Sequence, residues 1–137
     1  MTPSEQEYLK QIYLYTHKQN ENVSTNALAL LVSTKASSVT DMVKKLAAKD
    51  LVVHNPYYGT SLSESGEREA IIILRRYLFW QLLLVRKLKI ENVEAAALAT
   101  QLQAVNSDML SEKLFAFLDC PRHDIFGKFI PGSPDRK

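Results

Sequence analysis

A mainly α-helical fold with one two-stranded ribbon is predicted for this 137-residue chain by three observations. Apolar residues recur at three-and-four spacing through most of the sequence, as they do in helices buried along one side. That period breaks once, at "LVVHNPYYGTSLS", where two short runs flank a turn marked by Pro56 and Gly59. Three helix-length segments precede the break, and the last two are only a few residues apart.

The first helix starts at "TPSEQEYLKQIYLYTHK", with Thr2 as N-cap, Pro3 at the first helical position and Glu5 completing a capping box. Its stripe is Tyr8, Leu9, Ile12, Tyr13 and Tyr15. After the polar "KQNENV", Ser24 or Thr25 caps a short second helix carrying Ala27, Leu28, Leu30 and Leu31. The third is capped by Ser33 or Thr34, ends near Lys49, and buries Ala36, Val39, Val43 and Leu46 with Met42 beside them. Ser63 then caps a long helix reaching about Leu88, too apolar around its circumference for a helix covered on one side only. Two further helices follow, roughly 93–105 and 107–118. The Pro- and Gly-rich tail "DCPRHDIFGKFIPGSPDRK" is expected to be extended.

Composition limits the function classes. A hydrophobic fraction of 46% supports a real core, for one domain or for a small domain plus an extension. No window approaches the roughly 20 apolar residues of a membrane span. The start "MTPSEQEYLK" lacks the basic and apolar regions of a signal peptide, so a cytoplasmic protein without a membrane partner is expected. The single Cys120 excludes an intrachain disulfide framework. A net charge of +2 does not itself argue for nucleic acid, so any basic surface must be local. No phosphate loop, metalloprotease motif or nucleophile–base spacing is present, and no enzyme is expected.

Three helices with a tight turn between the last two, followed by a ribbon, form a winged helix-turn-helix, whose third helix enters the major groove of DNA. The side of that helix away from the apolar stripe, with the residues leading into it, offers Thr34, Lys35, Ser37, Ser38, Thr40, Asp41, Lys44 and Lys45. Ser and Thr are poor choices for helix propensity. They do let a helix approach base edges closely, and their hydroxyls serve base or phosphate acceptors. Lys35, Lys44, Lys45 and Lys49 are expected to neutralise phosphates, and Tyr57 and Tyr58 of the ribbon to lie along the DNA backbone. The alternative is a helical interaction module with no nucleic-acid partner, in which this face is simply solvated.

The stretch "STNALALLVSTKASSVTDMVKKLAAKDLVVHNPYYGTSLSESGEREA" resembles the DNA-binding domain of the diphtheria-toxin-repressor family of metal-dependent repressors. "YYGTSLSESG" stands where that family has Y-x-G-x-x-L-T-x-x-G, and "WQLLLVRKL" and "LFAFLDCPRHD" extend the likeness from Thr2 to about Pro131. The resemblance implies a winged-helix domain over 1–63, joined by the long helix to an all-α dimerisation domain over 64–137. It also implies a homodimer, with Phe79 and Leu83 as dimer contacts, reading a palindromic operator of double-stranded DNA.

The resemblance further implies bound Mn²⁺ or Fe²⁺, but the ligand positions have mostly changed. Glu7 retains an acid. Lys10, Tyr77, Gln81, Thr100, Gln103, Ala104 and Phe126 stand where the family has acidic, imidazole or otherwise strong donors. The expected cofactor is therefore none. One reading has Lys10 pair with Glu7, one turn away, and replace the ion. Another builds a new site on Cys120 and His123 with Asp119 or Asp124, or keeps metal response through some rearranged set.

Overall fold

The computed structural model describes residues 1–133; residues 134–137, the end of the tail expected to be extended, lie outside the described residues. Among the described residues the order is α1 (Pro3–Gln19), α2 (Thr25–Leu31), α3 (Ala36–Ala48), β1 (Val52–Asn55), β2 (Gly59–Leu62), α4 (Glu64–Leu82), a π-helical turn (Leu83–Lys87), α5 (Asn92–Leu102) and α6 (Asp108–Phe117). The chain forms two compact units, Met1–Ile71 and Ile72–Lys137, so the first two turns of α4 belong to the first unit.

In the first unit the capping box forms as the sequence predicts. Thr2 Oγ1 accepts from the Glu5 amide at 3.1 Å, and Glu5 Oε1 accepts from the Thr2 amide at 2.8 Å. Ser24, rather than Thr25, caps α2, accepting from the Ala27 amide at 3.1 Å. The expected cap of α3 is corrected: Lys35 occupies the N-cap position and makes no side-chain cap bond. Ser33 and Thr34 are taken up in closing α2. Ser33 adopts a left-handed backbone (φ 54), and the Thr34 amide donates to Ala29 O at 3.0 Å. Leu9, Ile12, Leu28, Val39 and Leu46 are fully buried, each contributing about 1.5–3 kcal/mol by leaving water. Ala36, expected in this stripe, is exposed in the first turn of α3.

Strands β1 and β2 pair antiparallel from Val52↔Leu62 to Asn55↔Gly59. The α1–α2 connection adds a one-residue rung on the other edge of β2, Val23 and Thr60 exchanging amide–carbonyl bonds of 2.9 and 2.8 Å. That rung explains the first glycine of the "YYGTSLSESG" motif. Gly59 sits at φ +92, and a Cβ there would lie 2.5 Å from Val23 O. The second, Gly66, lies in α4, where a Cβ would stand 1.8 Å from Leu51 O. Ser63 caps that helix, its Oγ accepting from the Gly66 amide at 3.0 Å.

In the second unit the helix expected to run to Leu88 is α-helical only to Leu82. The Leu88 amide reaches back five residues to Leu83 O at 3.2 Å, and Lys89 (φ 58) ends the widened turn. Leu84, from this turn, packs on Ala95 and Ala99 of α5, with Tyr77, Trp80, Val85, Ile90 and Leu102 around them. The tail is also corrected, because it is not extended through its described part. The Asp124 amide donates to Lys128 O at 2.8 Å, the Ile130 amide to Arg122 O at 2.9 Å, and Ile130 is fully buried.

Substituting Gly66→Ala is expected to destabilise the fold by about 2 kcal/mol or more, since backbone must move, and Gly59→Ala by a similar amount through strain and contact together. Denaturant unfolding of both variants checks this. Parent-like midpoints would contradict it.

Candidate nucleic-acid interface

α3 is divided cleanly between two environments. Val39, Val43 and Leu46 are buried. Thr34, Lys35, Ser37, Thr40, Asp41, Lys44 and Lys45 are exposed, and Ser38 is half-buried. At 3.6 residues per turn, Ser37, Thr40, Asp41 and Lys44 fall on one stripe, so the hydroxyls, an acid and an ammonium share a surface. Thr40 Oγ1 donates to Ala36 O at 3.1 Å, which leaves it an acceptor oxygen and a methyl group to offer.

The wing tip is organised by one side chain. Asn55 Oδ1 accepts from the amides of Tyr57 at 2.8 Å and Tyr58 at 3.2 Å, and those tyrosines are 90% and 75% exposed. A cleft of about 260 Å³ is lined by Thr25, Thr40, Val43, Lys44, Ala47 and His54. His54 has no role in the sequence reading, yet it joins this cleft, with Nδ1 2.9 Å from Thr60 Oγ1. Its position two residues after buried Val52, hence on the same ribbon face, was the available signal.

Lys49, expected as a phosphate contact, is exposed and also engaged within the domain. Its Nζ donates to Glu5 Oε2 at 2.6 Å, and Glu5 is buried. The Lys49 bond, followed by the Thr2 backbone amide, holds the Glu5 carboxyl at about 2 against an ordinary 4.5. A second inward lysine lies on α1. Lys10 is only 2% exposed, and its Nζ is 3.0 Å from Glu7 Oε1. Burial lowers the Lys10 pKa below the ordinary lysine value, with attraction to Glu7 opposing that shift. Glu7 Oε2 accepts from Gln11 Nε2 at 2.9 Å, so both oxygens of this carboxylate are engaged by its own helix.

The remaining positions where the family resemblance implies metal ligands lie in the second unit. Gln81 Nε2 donates to Tyr77 Oη at 3.5 Å, and Gln103 is 1% exposed. Thr100 Oγ1 donates to Ala96 O at 3.0 Å, Ala104 carries no donor, and Phe126 is exposed. Cys120 is an exposed free thiol, and His123 sets its ring edge-on to Phe129. Asp124, the suggested helper of that pair, spends Oδ1 on the amides of Phe126 and Lys128, each at 2.9 Å. Among the described residues no group of three or more His, Cys, Asp or Glu side chains is placed to hold a metal ion. Of the dimerisation candidates, Leu83 is half-buried and Phe79 is buried against Phe115, with ring centroids 5.2 Å apart.

A helix with one side in the core and hydroxyls and ammonium groups on the other, beside a short ribbon, is the architecture of a winged-helix DNA-binding domain. The chain belongs to the iron-dependent repressor family. Residues 1–60 match that family's N-terminal DNA-binding domain, and residues 63–132 its metal-binding and dimerisation domain. Over 119 residues, 87% of this chain and 95% of the relative, it is 35% identical to an uncharacterized HTH-type transcriptional regulator of Methanocaldococcus jannaschii. The solved structure of the manganese regulator SloR superposes with a TM-score of 0.85 at 31% identity, covering 98% of this chain and 62% of that one. A manganese-dependent transcriptional repressor in complex with manganese gives 0.83 at 33% identity, covering 93% and 58%. The chain thus spans about three fifths of those solved chains. The family comprises transcriptional repressors and not enzymes.

The second family domain is described as metal-binding, and the donors at the matching positions do not fit a divalent cation. Hard divalent ions need several anionic or imidazole donors. Here the matching positions supply one carboxylate, already engaged on both oxygens, together with neutral amides, hydroxyls and an ammonium.

Because Glu5 is more acidic when folded, its stabilisation is fully present above pH 4.5 and is lost as pH falls toward 2. Glu5→Gln is expected to flatten acid unfolding across that window and to cost on the order of 1–3 kcal/mol near neutrality, reduced by the half-exposed Lys49. Unfolding free energy measured against pH checks both. An unchanged acid slope would contradict the assignment.

Proposed function

We propose that this chain is a homodimeric, cytoplasmic transcription repressor that places α3 of each subunit in the major groove of a palindromic operator, with no metal ion as cofactor. The observation that carries the reading is the division of α3: Val39, Val43 and Leu46 face the core, which leaves Ser37, Thr40, Asp41 and Lys44 together in solvent.

The roles follow from the chemistry of each group. Ser37, Thr40 and Asp41 face base edges, Ser37 as donor or acceptor and Asp41 as an acceptor suited to the amino group of cytosine. Lys35, Lys44 and Lys45 neutralise phosphates, and Thr34 and Ser38 sit beside them at the start of the helix. Tyr57 and Tyr58 reach the sugar–phosphate backbone from the wing.

Dimerisation is supported by the large apolar side chains that the second unit leaves exposed, among them Val93, Leu98, Val105, Met109 and Phe117. Leu83 retains area for such a contact. Phe79, already buried, acts by supporting the surface. A two-fold pair then reads half-sites spaced by the helical repeat of DNA.

Binding to duplexes of random and of selected sequence across a salt series tests the reading. Affinity is expected to fall linearly in log–log form, and Lys44→Ala to weaken binding uniformly while reducing the slope by about 1. Ser37→Ala is expected to relax preference at one position by about 1–3 kcal/mol. Salt-independent binding, or none, would refute it.

A further inference from the structure

We infer that Lys10 is an internal cation taking the place of the divalent ion in metal-binding relatives, so that DNA binding by this chain is constitutive with respect to metal. The inference rests on the DNA-binding reading above.

Its first support is the inventory of buried polar groups. Among the described residues these are Glu5, Gln6, Lys10 and Thr60 in the first unit, and Arg76, Gln81, Gln103 and Asp124 in the second. The two carboxylates in that set are committed, Glu5 to Lys49 and the Thr2 amide, and Asp124 to the amides of Phe126 and Lys128. The others are cations, neutral amides and a hydroxyl. Within neither unit does this inventory hold an uncommitted carboxylate.

The second support is the environment of Glu7, the one family position that keeps an acid. Its oxygens are held by Lys10 at 3.0 Å and Gln11 at 2.9 Å, all from α1. One carboxylate and one ammonium sum to zero charge. A divalent ion arriving there would meet repulsion from the ammonium.

The third is the burial of Lys10 itself. A lysine that reaches 2% exposure has given up nearly all of its hydration, which chains avoid unless the charge is matched. In a metal site the cation balances gathered carboxylates. Here the ammonium balances Glu7, and it is covalently attached, so no change in ion concentration removes it.

The test uses the full chain, stripped with a strong chelator. Equilibrium dialysis against micromolar Mn²⁺ is expected to leave none bound, and affinity for a duplex selected from a random pool is expected to be the same with and without chelator. Lys10→Met, which keeps the bulk and removes the charge, is expected to weaken duplex binding by roughly 5- to 150-fold, with no recovery on adding Mn²⁺. One Mn²⁺ retained per parent chain, chelator-sensitive affinity of the parent, or a Lys10→Met chain that binds like the parent would each overturn the inference. If circular dichroism shows that Lys10→Met does not fold, the two parent-chain measurements decide it. If no duplex binds in a salt-dependent way the regulator reading fails instead, and Mn²⁺ dialysis still judges the ion-free fold.

Discussion

The burial of one side of α3 is the constraint on which the rest depends. Val39, Val43 and Leu46 leave water almost completely, at about 1.5–3 kcal/mol each. Against that, Ser37, Ser38 and Thr40 cost at most a few tenths of a kcal/mol apiece in helix propensity. Burial wins by a wide margin. It fixes the rotation of the helix and frees the opposite side to carry whatever chemistry a partner requires. The Val23–Thr60 rung and the two motif glycines act around it. Gly59 lets β2 approach the α1–α2 connection, and Gly66 lets the start of α4 approach Leu51, just after α3, by backbone contact.

Lysine serves two opposite purposes in this fold. Lys35, Lys44 and Lys45 stay in solvent, where an ammonium attracts phosphate at little structural cost. Lys10 turns inward to an acid, and Lys49 gives its ammonium to buried Glu5. Removing Glu7 would strand the buried Lys10 ammonium, and removing Lys49 would strand the buried Glu5 carboxylate, which is why such pairs are hard to dismantle even where their net stabilisation is small. The surface available to DNA is therefore less basic than the lysine content of the first unit suggests.

Local signals made much of the fold legible. The capping box at Thr2 and Glu5, the Ser24 and Ser63 caps, and the break in period at Leu51 each act over three or four residues, and each formed as read. What was not legible depended on residues far apart in sequence. Lys49 reads as one more basic residue at a helix end until Glu5, 44 positions away, is folded against it. His54 looks solitary until the ribbon pairs it with Thr60 and lays it beside Lys44. The widened turn after Leu82 has a helical sequence, since its hydrogen bonds change while its apolar spacing does not. Which donor atoms stand at the positions matching the family's ligands is legible residue by residue, because it concerns which atoms are present and not where they lie.

The outward stripe of α3, with the wing tip, is the surface proposed to meet DNA. Amide chemical-shift mapping of isotope-labelled chain titrated with a selected duplex tests it most directly. The largest perturbations are expected from Thr34 to Lys45 and from Asn55 to Gly59, with the Leu46 and Leu9 amides of the core little changed. Perturbations concentrated in α5 and α6, with α3 unaffected, would contradict it.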